Sequence, residues 1–378
     1  MKWSFQIARV SGIDIKIHAT FFLILLLGAV QWGGPNGLPG AFFGVLLMAL
    51  LFFCVVLHEL GHSLVAQYFR YPVRQIVLLP IGGVAQMEKN PEKPLHELLI
   101  TVAGPLVNVV IAVVLFAVAG ASGYFDSLDA KGLVGGQLSS PSTSALLAWL
   151  LAANVSLAVF NMIPAFPLDG GRVLRAILWL YLGFTRATRI ASRVGQFLAL
   201  ALGIFGVLGG NFILVLIALF IFLGAGQEWA AERARTVLTT LSVGDAYNKH
   251  ALTLAPADQV STVVHYLLTS YQPDFAVLQG SSLLGVVTRD DVLKTLMTET
   301  GDLYVTGIMQ REVPRFQDSM QLDEVRKAML EKGARVAAVC KEDRHLGLVS
   351  LEDIIEALMV ATFMKHQEER RLAQAQAG

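Results

Sequence analysis

Two histidines and a glutamate, in the run His58-Glu59-Leu60-Gly61-His62, stand inside an apolar stretch from Ala41 to Phe69 that carries no other charge. On a helix, positions i and i+4 share a face, so His58 and His62 can aim two imidazoles at one metal ion. Glu59, one position further round, can take a proton from a water molecule held beside that metal, which is the chemistry of a zinc hydrolase. An ionisable group inside a membrane costs roughly 2.5–3.5 kcal/mol or more and is seldom kept there without a role. Two packed histidines at a helix end are the plain alternative, because the pair lacks a third ligand of its own. Cys54, one turn before His58, is read as packing.

Asp169 supplies the missing donor. It lies in Pro164-Ala165-Phe166-Pro167-Leu168-Asp169-Gly170-Gly171-Arg172, directly after another apolar segment. The prolines end the preceding helix, and the glycines let the backbone turn tightly. Irregular backbone at membrane depth is tolerated only where it faces protein or a water-filled cavity. Asp169 could instead cap the next helix. Beside a buried His-Glu-x-x-His set the metal reading is preferred, and three protein ligands leave the open position that catalysis needs.

The elements that must hold these groups are apolar. Of the residues 54% are hydrophobic and 15% charged, with a mean hydropathy of +0.59, against about 25% charged in a soluble domain. Spans are expected over about His18 to Gln31, ended by Gly33-Gly34-Pro35-Asn36-Gly37, then Ala41 to Phe69, Leu98 to Ala119 and Ala145 to Ile163. The block Gly195 to Gly224 is too long for one upright helix, and Gly209-Gly210-Asn211 divides it into a hairpin, making six spans. Met1 to Lys16 reads as extended or interfacial. Val73 to Met87 has strand character broken by Pro80 and Gly82-Gly83, and Gly120 to Ser144 is a Gly/Ser-rich loop. The amino-terminal apolar run lacks a small-residue cleavage site, so a cleaved signal peptide is not expected. Lys2, Arg9 and Lys16, then Arg70, Arg74, Lys89 and Lys93, the arginines from Arg172 to Arg193, and Arg233 and Arg235 fall on one side, with Lys131 alone opposite. That bias expects both termini in the cytoplasm of a cell-membrane protein.

Net charge is zero but divided: 13 Lys/Arg against 9 Asp/Glu up to Glu228, then 16 against 20. Neither part is basic enough for nucleic acid. Cys54 and Cys340 fall in different parts, so no disulfide framework is implied.

His58-Glu59-Leu60-Gly61-His62 together with Asn161-Met162-Ile163-Pro164-Ala165-Phe166-Pro167-Leu168-Asp169-Gly170-Gly171 resembles the site-2 protease family of intramembrane zinc metalloproteases, over roughly residues 1–230. Ala103-Gly104-Pro105-Leu106-Val107-Asn108 and Ile17-His18-Ala19-Thr20-Phe21-Phe22 are similar to the family's pattern too. The resemblance implies zinc on His58, His62 and Asp169, Glu59 as general acid and base, and Asn161 with the Gly82-Gly83 loop as holders of the substrate chain. It also implies a membrane-anchored regulatory protein as substrate. For His18 and Asn108, interhelical hydrogen bonding is an equal alternative to substrate contact.

Beyond Glu228 the sequence repeats at an offset of 62 residues: Val243 aligns with Val305, and Gly285-Val286-Val287-Thr288 with Asp291 aligns with Gly347-Leu348-Val349-Ser350 with Asp353. Each copy reads strand, helix, two strands, helix, and the pair is similar to tandem CBS domains. That resemblance implies an adenine nucleotide (ATP, ADP or AMP) at Thr288, Asp291, Ser350 and Asp353, and a homodimer through the CBS domains. Capping pairs at two helix starts are the alternative. The expectation is a polytopic α-helical membrane domain of about six transmembrane helices over 1–230, a linker over 231–242, then an α/β cytoplasmic tandem CBS module of 243–300 and 301–364, and a charged tail over 365–378. Function is expected to be zinc-dependent cleavage of a single-span membrane-anchored protein. A CBS-regulated ion transporter, with the His/Asp site as its ion path, is the alternative.

Overall fold

The computed structural model describes residues 4–79, 82–87, 91–121, 140–270, 272–298, 301–342 and 344–377. Two compact units divide between Ala230 and Ala231. Pro80, Lys89, Lys131 and most of the Gly120 to Ser144 stretch lie outside the described residues.

The first unit begins with the hairpin β1 (Ser4–Val10) and β2 (Ile13–His18). Helix α1 (Phe21–Tyr68) follows and breaks at Gly37, whose φ of 62° and ψ of −150° leave the helical region. The first arm does not stop at Gly33 as its turn-rich sequence suggests. It runs on through Pro35, and the chain then doubles back: the second arm packs so closely on the first that a Cβ on Gly28 would strike the backbone of Gly44. Small residues at such crossings let helices approach where lipid provides no hydrophobic drive.

Strands β3 (Val73–Leu79) and β4 (Gly82–Met87) complete a four-stranded sheet in the order β1-β2-β3-β4, with only β2 and β3 parallel. Its inner face buries Ile13, Ile15, Val73, Ile76 and Leu78 against Val56 and Leu60 of α1 and Ile100 of the next helix. The sheet is therefore clamped to the helix that carries His58 and His62. Then come α2 (Pro94–Ala121), α3 (Thr143–Asn161), α4 (Asp169–Leu182), α5 (Phe184–Leu208) and α6 (Phe212–Leu238). The turn between α5 and α6 falls at Gly209-Gly210-Asn211; Gly210 takes φ 63° and the Asn211 side chain accepts from the Leu214 amide. Both helices outrun the apolar block because they continue into arginine-bearing segments. Among the described residues five helices are long and apolar enough to cross a membrane, α1 counted once. Their outward faces carry residues such as Leu23, Leu27, Val113 and Phe205, each more than half exposed, as a lipid-facing surface requires.

The second unit holds two sheets of the same topology. The first copy has β5 (Thr253–Leu254), α7 (Val260–Thr269), β6 (Asp274–Gln279), β7 (Ser282–Thr288) and α8 (Arg289–Thr298). After the short α9 (Val305–Ile308), the second copy has β8 (Arg315–Gln317), α10 (Leu322–Glu331), β9 (Val336–Lys341), β10 (Arg344–Ser350) and α11 (Leu351–Ala377). Element starts recur 62 residues on, as Val260 and Leu322 or Asp274 and Val336 do, so the repeat in sequence is a repeat in structure. The cores, however, exchange their leading segments. Val243 is buried with Leu322, Val325 and Met329 of the second copy, while Val305 is buried with Val260, Val263 and Phe275 of the first. Each such fully buried aliphatic side chain stabilises by about 1.5–3 kcal/mol, so neither copy is complete alone. Ala276 and Val286 of one sheet meet Val336 and Ala338 of the other, joining the copies into one module.

Candidate metal centre

His58 and His62 occupy one face of the second arm of α1, as the i, i+4 spacing requires. Both are buried. Asp169 is the first residue of α4, and Leu168 holds the cap position without a side-chain hydrogen bond. The Asp169 carboxylate is turned instead to the histidines: its Oδ2 lies 3.2 Å from Nε2 of each, and the two Nε2 atoms are 3.1 Å apart. A tetrahedral zinc with bonds of about 2.0–2.1 Å has neighbouring ligand atoms about 3.3 Å apart, so the donor triangle fits such an ion. Its electrostatics agree. His62 Nδ1 is 2.7 Å from the Ile100 carbonyl, which only accepts, so in the neutral ring that nitrogen carries the proton and Nε2 is a lone pair. Lone pairs and a carboxylate converging within 3.2 Å repel unless a cation sits among them.

Gly170 and Gly171 matter for space more than for turning. Both are helical, and a Cβ on Gly170 would enter the carbonyls of Met162 and Ile163 while one on Gly171 would enter Ala165. Only glycine lets α4 start this close to the preceding loop. Glu59 lies against Gly83 of β4, so tightly that a Cβ there would overlap the Glu59 side chain. Gly82 takes φ 137°, a conformation reserved for glycine. The sheet thus brings the Gly82-Gly83 pair to the glutamate. Asn161 ends α3, half-buried, one loop before Asp169. Cys54 is buried outside the triad, 3.4 Å from the Asn154 amide. His18 bonds the Thr20 hydroxyl at 2.8 Å, a local turn contact.

Arg175 is not the surface charge that its place among the arginines suggests. It is 7% exposed and pairs with Glu97, 1% exposed, and with Glu228, so one guanidinium ties α4 to α2 and α6. It also lies 5.1 Å over the Phe166 ring, in the loop that delivers Asp169. A guanidinium with five donors in a plane suits this triple duty. Sequence alone could not find it: Glu97, Arg175 and Glu228 are far apart along the chain and share no motif.

In the second unit the Thr288/Asp291 and Ser350/Asp353 pairs are reciprocal caps. Asp291 accepts from the Thr288 hydroxyl at 2.6 Å and its amide at 3.0 Å; Asp353 accepts likewise from Ser350 at 2.8 and 2.7 Å. The caps do not exclude a ligand, for each pair adjoins a cavity. One of about 560 Å³ is lined by Thr288, Arg289, Pro314 and Arg335, and does not include Asp291. The other, of about 410 Å³, is lined by Leu252, Gln272, Ser350 and Asp353. Asp274 borders both. Burial, with the Glu352 carboxylate nearby, pushes the Asp274 carboxyl up to about 6. The folded unit therefore binds this proton between about pH 4 and 6 where the unfolded chain, with an ordinary Asp near 3.9, does not. The stability this contributes is full below pH 4 and lost as pH rises through 6. Asp274→Asn is accordingly expected to raise the melting temperature of the second unit at pH 8 and to flatten its decline between about pH 4 and 6. A parallel decline in both proteins would show that another group is responsible.

Comparison with known proteins agrees with the geometry. Residues 46–202, which contain all three donors and Glu59, match the model of peptidase family M50, and residues 305–360 match the CBS domain. The chain is 33% identical over 360 residues to a zinc metalloprotease of Methanocaldococcus jannaschii, covering 95% of this chain and 97% of that one. It is 28% identical over 384 residues to a zinc metalloprotease, so named as putative, of Synechocystis, covering 96% and 97%. The structure of a site-2 protease from Methanocaldococcus jannaschii is 41% identical, covering 60% of this chain and 95% of that one, with a TM-score of 0.44. The ion-transporter alternative gives way to the likeness with the Methanocaldococcus jannaschii metalloprotease sequence, which covers 95% of this chain and 97% of that one. This membrane protein belongs to peptidase family M50, as a zinc metalloprotease of the site-2 protease type that carries a CBS module behind its catalytic unit.

Proposed function

We propose that the chain is an intramembrane endopeptidase that cuts a single-span, membrane-anchored regulatory protein within or near its transmembrane segment. His58, His62 and Asp169 hold the zinc, and Glu59 is the general base and acid. The bound zinc supplies Lewis acidity toward the scissile carbonyl and lowers the pKa of water beside it. Glu59 takes the proton from that water and hands it to the leaving amine nitrogen. Counting the two arms of α1 separately gives six crossings, with both termini and the CBS module in the cytoplasm and the centre near that face, where water can enter. The domain limits are 1–230, 231–242, 243–300, 301–364 and 365–378.

The observation that carries this reading is the packing of Gly83 on Glu59. A substrate helix cannot be cut while its carbonyls are held in the i to i−4 ladder, so it must be drawn out and held extended. Strand β3 has both edges occupied, by β2 and β4. The outer edge of β4 pairs with no strand among the described residues, and Gly83 of that same strand packs on the glutamate. An unwound segment added there as a fifth strand would have its backbone fixed by the ladder, with Gly82 and Gly83 keeping the approach free of side chains. Asn161, at the end of α3, is proposed to hold the substrate from the other direction.

The test is cleavage of a single-span substrate by the purified full chain. Chelation is expected to abolish cleavage and added zinc to restore it. Cleavage that persists without metal would refute the reading. For the CBS module we propose adenine-nucleotide binding at the two cavities, whose volumes fall in the range of small-molecule sites, and pairing of two chains through it. Titration of ATP and AMP against the same preparation, with cleavage rate as the readout, tests the regulatory part separately.

A further inference from the structure

A line of side-chain amides runs from the backbone of α3 to one of the imidazoles. Asn154 Nδ2 donates to the Leu150 carbonyl at 2.8 Å. Asn154 Oδ1 accepts from Asn108 Nδ2 at 2.8 Å. Asn108 Oδ1 then faces Nδ1 of His58. All three side chains are buried, Asn108 and Asn154 completely. The polarity of this line is set at its far end. A carbonyl can only accept, so Asn154 must turn its NH2 toward Leu150 and its oxygen toward Asn108. Asn108 must then turn its NH2 toward Asn154 and its oxygen toward His58. With an acceptor at Nδ1, the neutral ring keeps its proton there, and Nε2 is left as a lone pair aimed between His62 and Asp169. Flipping either amide would oppose two acceptors or two donors in a medium of low dielectric, where each mismatch costs most.

We infer that Asn108 and Asn154 are positioning residues that impose the metal-binding tautomer and orientation on His58, with Asn154 acting through Asn108 and touching no ligand itself. The inference rests on the ligand set proposed above. It also favours interhelical hydrogen bonding over substrate contact for Asn108, the alternative left open by the sequence, since its carbonyl is spent on His58 and its NH2 on Asn154. His62 needs no such relay, because its Nδ1 reaches a backbone carbonyl directly. The two imidazoles therefore differ in what can dislodge them.

The experiment is zinc affinity of the full chain in detergent, by competition with a chromogenic chelator, beside the melting temperature of the zinc-free protein. Loss of an outer partner of a ligating histidine typically weakens metal binding 10- to 100-fold. Asn108→Leu is expected to weaken zinc within that range, and Asn154→Leu by about 10-fold. Asn108→Asp is expected to bind zinc within a few-fold of the natural chain. Its carboxyl keeps an oxygen acceptor for His58 Nδ1, the contact on which the inference turns. If Asn108→Leu does not fold, Asn154→Leu and Asn108→Asp carry the test. Unchanged zinc affinity in both leucine variants, with only their melting temperatures lowered, would mean that the amides merely pack the helices and would overturn the inference. So would an Asn108→Asp protein as weak as Asn108→Leu. His58→Ala distinguishes the two levels: if it keeps zinc, the ligand assignment itself is wrong.

Discussion

Glu59→Gln is expected to lower kcat by about 100- to 10,000-fold, the range for loss of a general acid–base group, while zinc content stays at one ion per chain. Glutamine keeps the shape and hydrogen-bonding reach of the side chain, so the close fit against Gly83 is preserved and KM should change little. What it lacks is a site for the proton: an amide cannot take one from water at neutral pH and return it to an amine. Zinc stays because the three donors, His58, His62 and Asp169, are untouched. The measurement is cleavage of a single-span substrate with metal analysis of the same sample. A glutamine variant that cuts at the natural rate would remove Glu59 from the mechanism, and one that lost zinc would place the glutamate among the ligands.

Asp169→Ala is expected to leave no stoichiometric zinc and no measurable cleavage. Two imidazoles 3.1 Å apart remain, but the only negative donor of the triad is gone. The lone pairs then face a cavity in which a divalent charge is no longer balanced. The fold should survive, because the helix cap is Leu168 and not Asp169. An acidic residue in the first turn of a helix contributes only about 0.3–1 kcal/mol through the dipole. Metal analysis with a melting curve therefore separates a lost ligand from a lost fold. Zinc bound at one per chain in the alanine variant would show that the carboxylate is not a ligand.

The chemistry was legible in the sequence because it is written at short range. The i, i+4 histidines with Glu59 between them need only one helical turn, and the Pro/Gly-flanked Asp169 announces itself by its setting in an apolar chain. The 62-residue repeat was legible for the same reason: like segments fold alike, and every element start recurs at that offset. The hairpin at Gly209-Gly210-Asn211 followed from length, since a bilayer accepts only so many residues per crossing.

What tertiary structure alone decided is everything that needs residues far apart in the chain to meet. Arg175 could be counted as a loop charge until α2 and α6 placed Glu97 and Glu228 around it, because a sequence shows charge but not burial. Asn154 carried no signal, and Asn108 only an ambiguous one, because a hydrogen-bonded line across three helices has no spacing rule. The copies of the repeat trade Val243 and Val305 between cores, since hydrophobic burial depends on where a segment docks and not on which copy it leads. The direction of the Asp169 carboxylate, away from the helix end and toward two imidazoles, depends likewise on the sheet and α2 that hold the histidine-bearing helix.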